Sequence, residues 1–306
     1  MGLSIAVVTP SLNQGRFIER TIRSVLDQGY SPLEYVVCDG GSTDETLDVL
    51  ARFGDRLTAV IEPDAGQAAA VNKGIRMTSS EVVGWLNSDD VYCPRSLALV
   101  AEFFATHPEA DVVYGDAHFL DTDDGVLGAY YTEPWNASRL TERCFVCQPA
   151  TFFRRRVVER FGLLSERLHY CLDYEYWLRL TRGGAIFSYM PTVLAGSRQY
   201  PETKTLRARL ALHDELNTML HERLGRVPDA WLLNHAHTLV ELDRANGRPH
   251  AAPYALDVVL KSLTLSWHWN RSIPPALVAR ALCPVAKGAG RRLRQSRSVV
   301  MSRPAS

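Results

Sequence analysis

The chain of 306 residues has no surplus of charge: 34 Lys and Arg balance 34 Asp and Glu. No global electrostatic case for a polyanionic partner such as nucleic acid exists. It also has no run of about eighteen apolar residues, so no transmembrane helix is predicted. The opening MGLSIAVVTP has no charged region before its apolar run, and polar SLNQGR follows at once. That segment reads as a first strand rather than a signal peptide, and a cytoplasmic location is the expectation. Six cysteines (Cys38, Cys93, Cys144, Cys147, Cys171 and Cys283) are too dispersed for the disulfide framework of a small domain. Cys144-x-x-Cys147 lacks the second pair that a zinc site needs and is assigned to packing. No Gly-x-Gly-x-x-Gly follows the first strand, which disfavours a dinucleotide-dependent oxidoreductase. Asp and Glu vanish altogether from Lys261 onward, a stretch that carries nine Lys and Arg.

What is present is a regular alternation. Hydrophobic residues make up 46% of the chain, enough at this length for a sizeable core. Strands are predicted at Ser4–Thr9, Glu34–Cys38, Leu57–Ile61, Glu81–Leu86 and from Asp111 to Tyr114. Helices are predicted between them: Arg16–Gln28, one opening at Ser42 with Glu45 completing a capping box, Gly66–Met77, and Pro94–Thr106 with proline in first position. Strands separated by helices of this length imply right-handed βαβ units and a mostly parallel sheet. Further on, strands are expected at Thr151–Phe153 and Ala185–Met190. Helices are expected at Arg155–Phe161, Asp173–Thr181, Leu206–Leu224 and Asp229–Ala245. GRPHAAP reads as a linker, and GRRLRQSRSVVMSRPAS as a disordered basic end.

Each early strand runs into polar residues. The first reaches Thr9, Ser11 and Asn13, and the second Asp39-Gly40-Gly41-Ser42-Thr43-Asp44. The third reaches Glu62-Pro63-Asp64-Ala65-Gly66-Gln67, and the fourth Asn87-Ser88-Asp89-Asp90. Ligands of open parallel sheets bind at the carboxyl ends of the strands, so the four clusters should share one cleft. Asp39, Asp64, Asp89 and Asp90 would then crowd together and need a cation. Hard oxygens without nearby His or Cys suit Mg²⁺ or Mn²⁺, bound with substrate phosphates.

TPSLNQGRFIERTIRSVLDQ, DGGSTDET, EPDAGQAAAVNKG and WLNSDD, in that order, resemble the donor-binding half of family 2 glycosyltransferases. CQPATFFRR and LDYEYWLRL resemble the acceptor half. The resemblance spans about residues 3–205. It implies a GT-A, Rossmann-like α/β domain over 1–205, with a donor half (1–115) and an acceptor half (116–205). A helical extension (206–246) and a basic tail (247–306) would follow. It implies an inverting, metal-dependent transfer of sugar from a nucleotide diphosphate to a hydroxyl acceptor, saccharide or lipid-linked, in surface polysaccharide or glycolipid assembly. By position, Thr9 and Asp39 would contact the base, with Pro10 and Asn13 shaping its pocket. Asp64 and Lys73 would line the ribose and diphosphate region. Asn87 and Ser88 precede the metal-binding Asp89, and Asp90 stands beside it. Asp173 would be the general base, and acceptor contacts are expected between Tyr130 and His169. Two departures stand out: Asn87 where many relatives have Asp, and Tyr200 where Arg-x-His is usual, leaving Arg198 and Lys204 as cations for the diphosphate.

Plainer readings run alongside. Asp89-Asp90 suits a helix cap, Asp39 a turn, and Asp173 a cap of its own helix, with Glu175 as rival base. Trp85, Trp177, Leu178 and Leu180 suit a core. The basic tail suits a solvated end, or an anionic membrane surface met with help from Leu263, Leu265, Trp267 and Trp269. A nucleic-acid role lacks any stacking or groove-reading motif. A nucleotide-sugar-binding scaffold without catalysis is the alternative function.

Overall fold

The structure, a computed structural model, describes residues 2–247 and 253–282. The chain divides after Ala208 into two units.

In the first unit, β1 (Ile5–Ser11) is buried at every residue, as a strand covered on both faces must be. On α1 (Gly15–Leu26), the apolar face of Phe17, Ile18, Ile22 and Val25 is buried. Next come β2 (Leu33–Asp39), α2 (Thr46–Ala51), β3 (Thr58–Ile61), α3 (Gln67–Arg76), β4 (Val82–Trp85), β5 (Val91–Tyr92) and α4 (Ser96–Thr106). Then follow β6 (Val112–Leu120), β7 (Val126–Ala129), α5 (Ala137–Glu142), β8 (Thr151–Arg154), α6 (Arg155–Phe161), α7 (Leu172–Arg182), β9 (Phe187–Arg198) and α8 (Lys204–Arg207).

Three local expectations are corrected. The capping box at Ser42 does not form: the Ser42 hydroxyl donates to Asp39, and α2 begins only at Thr46, whose N–H donates to Asp44 Oδ1. Pro94 is not the first residue of α4, because Arg95 takes a left-handed conformation (φ 67°) and the helix starts at Ser96. The helix expected from Leu206 to Leu224 is broken at Ala208, where ψ is 41°.

The sheet runs β3-β2-β1-β4-β8-β6-β9-β5, with β7 also on β6. The first four strands are parallel, as predicted. Beyond β4 the sheet is mixed rather than mostly parallel: β8 is antiparallel to both β4 and β6, and β5 is antiparallel to β9. The chain leaves β4 and, six residues after Trp85, enters β5 at the far end of that order. So short a link requires the sheet to curl, and Gly84 marks the closure. A Cβ there would stand 2.6 Å from the Tyr92 hydroxyl and 2.7 Å from the Phe152 ring. Ile5, Val7, Ile22, Val37, Val82, Phe104 and Phe152 belong to the main core.

The second unit comprises α9 (Arg209–Leu224), α10 (Asp229–Ala245), α11 (Tyr254–Asn270) and α12 (Pro275–Leu282). Ala236 and Val240 of α10 pack on Val258 of α11. His213 and His235 stack nearly parallel, their centroids 4.9 Å apart, and burial pushes the His213 imidazole down to about 4. Most of the expected linker and all of the sequence-predicted disordered end lie outside the described residues.

Candidate functional site

The carboxyl ends of β1 to β4 are tied together by hydrogen bonds. Asn13, just past β1, holds a left-handed conformation (φ 52°). Its N–H donates to Ser42 Oγ at 2.7 Å, and its Oδ1 accepts the Thr43 N–H at 2.9 Å. Asp39 is buried at the end of β2, where it accepts the N–H groups of Gly41 and Ser42 and the Ser42 hydroxyl. It organises this turn. Thr9 and Pro10 are buried in β1, and Thr9 Oγ1 lies 3.2 Å from the Tyr35 hydroxyl. The Glu62 N–H donates to the Asp39 carbonyl, which brings the third cluster to the second.

Asp64 Oδ1 accepts the Gly66 N–H at 2.8 Å, and its Oδ2 lies 3.0 Å from where a Gly40 Cβ would stand. Glycine at 40 is therefore what lets the two turns meet. Lys73 pairs with Glu62 at 2.8 Å, a contact that raises the lysine's pKa. Glu62, Asp64, Lys73, Arg76 and Glu166 line an open cavity of about 400 Å³ beside these turns.

Asn87, after β4, uses every polar valence. Its Oδ1 accepts Gln67 Nε2 (2.8 Å) and Trp85 Nε1 (2.9 Å), and its Nδ2 donates to Gln148 Oε1 (2.9 Å) and Asp90 Oδ2 (3.2 Å). An amide fits here because two acceptors and two donors converge; a carboxylate supplies no donors. Ser88 is buried, and its carbonyl accepts the Thr21 hydroxyl.

Asp89 and Asp90 part company. Asp90 is buried, and its Oδ1 accepts the Arg198 N–H at 3.0 Å. Burial, with the neighbouring Asp89 second, pushes its carboxyl up to about 8. Asp89 is half-buried, and its Oδ2 accepts the Tyr200 hydroxyl at 2.8 Å. Burial raises its pKa too, opposed by that hydroxyl. Tyr200 in turn rests on Phe17 at 4.8 Å. The Arg198 guanidinium is held by Asp124 and by the Asp89 carbonyl, so it braces the turn rather than reaching outward. Lys204 Nζ donates to Gln67 Oε1 at 3.1 Å.

Asp173 lies in the first turn of α7, half-buried, with Oδ1 accepting the Tyr174 N–H. Burial pushes its carboxyl up to about 6. Burial raises the pKa values of Tyr130 and Cys144, and the Asp173 charge adds to both rises. The rival Glu175 is buried and paired with Arg179 at 3.0 Å, a structural role. Trp85, Trp177, Leu178 and Leu180 are core residues, as the plainer reading had it.

Among the described residues, no three His, Cys, Asp or Glu side chains group closely enough to hold a metal ion. The expected four-carboxylate cluster is thus corrected: Asp39 and Asp64 spend oxygens on the N–H groups of their own turns, and Asp90 is turned inward. Gln148 and Asp124 were missed. Gln148 had a signal, as a lone amide in the apolar run FVCQPATFF; Asp124, in the exposed turn of the β6–β7 hairpin, had none.

The model of the family described as "Glycosyl transferase family 2" matches residues 6–162. A PGL/p-HBAD biosynthesis glycosyltransferase of Mycobacterium bovis is 30% identical over 201 residues, 64% of this chain and 77% of its own. An uncharacterized glycosyltransferase of Rickettsia prowazekii is 24% identical over 240 residues, 74% of this chain and 70% of its own. Among solved structures, S. aureus TarS 1-349 in complex with UDP-GlcNAc superposes with a TM-score of 0.59 at 16% identity, covering 85% of this chain and 79% of that one. Mannosyltransferase PcManGT from Pyrobaculum calidifontis, in complex with GDP-Man and Mn²⁺, gives 0.53 at 18% identity, covering 98% and 84%. At such identities the likeness is one of fold.

Proposed function

The chain belongs to glycosyl transferase family 2, with the GT-A fold and nucleotide-sugar-dependent transfer, and on that premise we propose an inverting, metal-assisted transfer to a hydroxyl acceptor in glycolipid or surface polysaccharide assembly. One observation carries the reading. A continuous chain of hydrogen bonds links Lys204, Gln67, Asn87 and Gln148, and the Asn87–Asp90 turn presents Asp89 to Tyr200. Residues up to 137 positions apart thus converge on the strand ends.

In this reading the nucleoside lies against the Thr9–Asn13 and Asp39 turns, with Asp64 and Lys73 beside ribose and phosphate. Asp89, the more exposed of its pair, is the protein ligand for Mg²⁺ or Mn²⁺; Asp90 and Ser88 hold its turn. A site with one carboxylate fits these cations, which take their remaining ligands from phosphates and water. Bound there, the metal would offset charge on the departing diphosphate. Asp173, ionised above about pH 6, accepts the proton of the attacking acceptor hydroxyl. The biosynthetic role of the mycobacterial relative supports a glycolipid acceptor. A non-catalytic nucleotide-sugar scaffold is the second reading, favoured only by Asn87 and Tyr200.

The test is thermal stability against UDP-, GDP- and dTDP-sugars with and without Mn²⁺, followed by donor hydrolysis. A ligand that binds only the folded state raises Tm. A Mn²⁺-dependent shift for one donor, lost in Asp89→Ala, together with hydrolysis lost in Asp173→Asn, is the expected result. A shift without turnover supports the scaffold, and no shift with any donor overturns both.

A further inference from the structure

Helix α11 carries an apolar stripe that stands exposed among the described residues. Val258, Val259, Ser262 and Ser266 face inward, and Leu265 packs on the α10 contact. Leu256, Leu260, Leu263 and Trp267 recur at intervals of four, three and four, which puts them on one helical face. Leu256 is 46% exposed, Leu260 53% and Trp267 55%, and Ile273, just past the helix, 50%. Scattered exposed leucines are ordinary, but a row that ends in tryptophan is the mark of a surface made to be covered.

The charge around the stripe selects the cover. Asp257, on the same helix, is neutralised by Arg244, and Asp243 by Lys261. After Asp257 the sequence contains no acid, while Arg271, Arg280, Lys287, Arg291, Arg292, Arg294, Arg297 and Arg303 follow. An acid-free basic stretch contiguous with a leucine–tryptophan face fits an anionic lipid surface, where apolar groups enter the headgroup boundary and cations meet phosphate. A protein partner would call for acidic side chains facing those cations, but nothing in the apolar row itself demands them.

We propose that α11 docks the enzyme on an anionic bilayer through Leu256, Leu260, Leu263, Trp267 and Ile273, with the basic residues after Lys261 supplying attraction. Of the four residues the sequence suggested for such a contact, Leu263 and Trp267 stay in it. Leu265 packs inward, and Trp269 approaches His221 and His268 instead. A lipid-linked acceptor would then be met where it resides, but docking stands independently of transfer.

The experiment floats the intact chain with vesicles of phosphatidylcholine alone or with added phosphatidylglycerol. It compares wild type with L260N/W267N, which removes the apolar groups and leaves the net charge unchanged. Binding to the anionic vesicles, weakened by salt and at least tenfold weaker in the variant, is expected. Equal binding of both proteins shows that charge alone suffices and overturns the proposal, as does no binding at all. A large loss of Tm in the variant shows that the chain's own residues cover the stripe, and a wild-type dimer dissolved by the variant shows that a second copy does. Either result overturns it too. Flotation reads no turnover, so its failure leaves the proposed transfer untouched.

Discussion

The Tyr200 hydroxyl donates to Asp89 Oδ2 at 2.8 Å across 111 positions of sequence. This bond opposes the rise that burial imposes on the Asp89 pKa. Tyr200→Phe removes it, so the Asp89 pKa climbs further and the ionised form needed for a metal appears only at higher pH. A hydrogen bond to a charged group contributes about 1.5–3 kcal/mol. Calorimetric titration of a nucleoside diphosphate with Mn²⁺ should show affinity about tenfold lower or worse, with the pH midpoint moved upward. Unchanged affinity would mean that Asp89 is positioned without the tyrosine.

Asp173 gives a pH prediction with a definite sign. Its folded-state pKa, about 6, lies above the ordinary 3.8. The protonated form is favoured by the fold, so its contribution to stability is full below about pH 4 and lost as pH rises toward 6. Asp173→Asn, which mimics that form, should keep or raise Tm at pH 7.5 while transfer falls about 10²–10⁴-fold. In the wild type, turnover should rise through about pH 6. A flat profile across pH 5–7 would assign the base elsewhere.

Asn87→Asp puts in the residue that the family resemblance implies at this position, but it removes both donors, to Asp90 and to Gln148. Unsatisfied buried polar groups cost about 1–3 kcal/mol each. The variant should lose about 2 kcal/mol or more at pH 7.5, and part of that should return near pH 5, where a protonated carboxyl supplies a donor. Scanning calorimetry at the two pH values measures both.

Gly84→Ala tests the curl of the sheet. With the new Cβ 2.6 Å from the Tyr92 hydroxyl and 2.7 Å from Phe152, overpacking should cost about 1–3 kcal/mol. A urea midpoint equal to that of the wild type would mean that β5 yields without strain.

The first four strands were legible because each is a short apolar run ended by polar residues, with a helix between. The second half was not, for particular reasons. β5 is two residues long, too short for any periodicity to register. β9, FSYMPTVLAGSR, runs twelve residues through a proline and mixed polarity, held by β6 on one side and β5 on the other. β6 continues through Gly115-Asp116, where the pattern breaks, because β9 pairs with it through a register shift. At the site, Asp89 and Asp173 stood out by motif, but their environments did not. Arg198 read as a cation for phosphate; its partner Asp124 arrives from a hairpin turn that no local pattern connects to it.

Because Val91 and Tyr92 pair with Gly196 and Ala195, the turn that carries Asp89 has no fixed seat until about a hundred further residues exist. At about 5–20 residues per second, a ribosome needs on the order of 10 s to supply them. During that interval the nascent chain has strands β1 to β5 but lacks β9, the strand on which β5 pairs. Its apolar face is then open to solvent and to chaperones. The seat of that turn is a late product of synthesis, and a chain stopped before the end of β9 carries Asp89 and Asp90 without the Arg198 and Tyr200 groups that hold them.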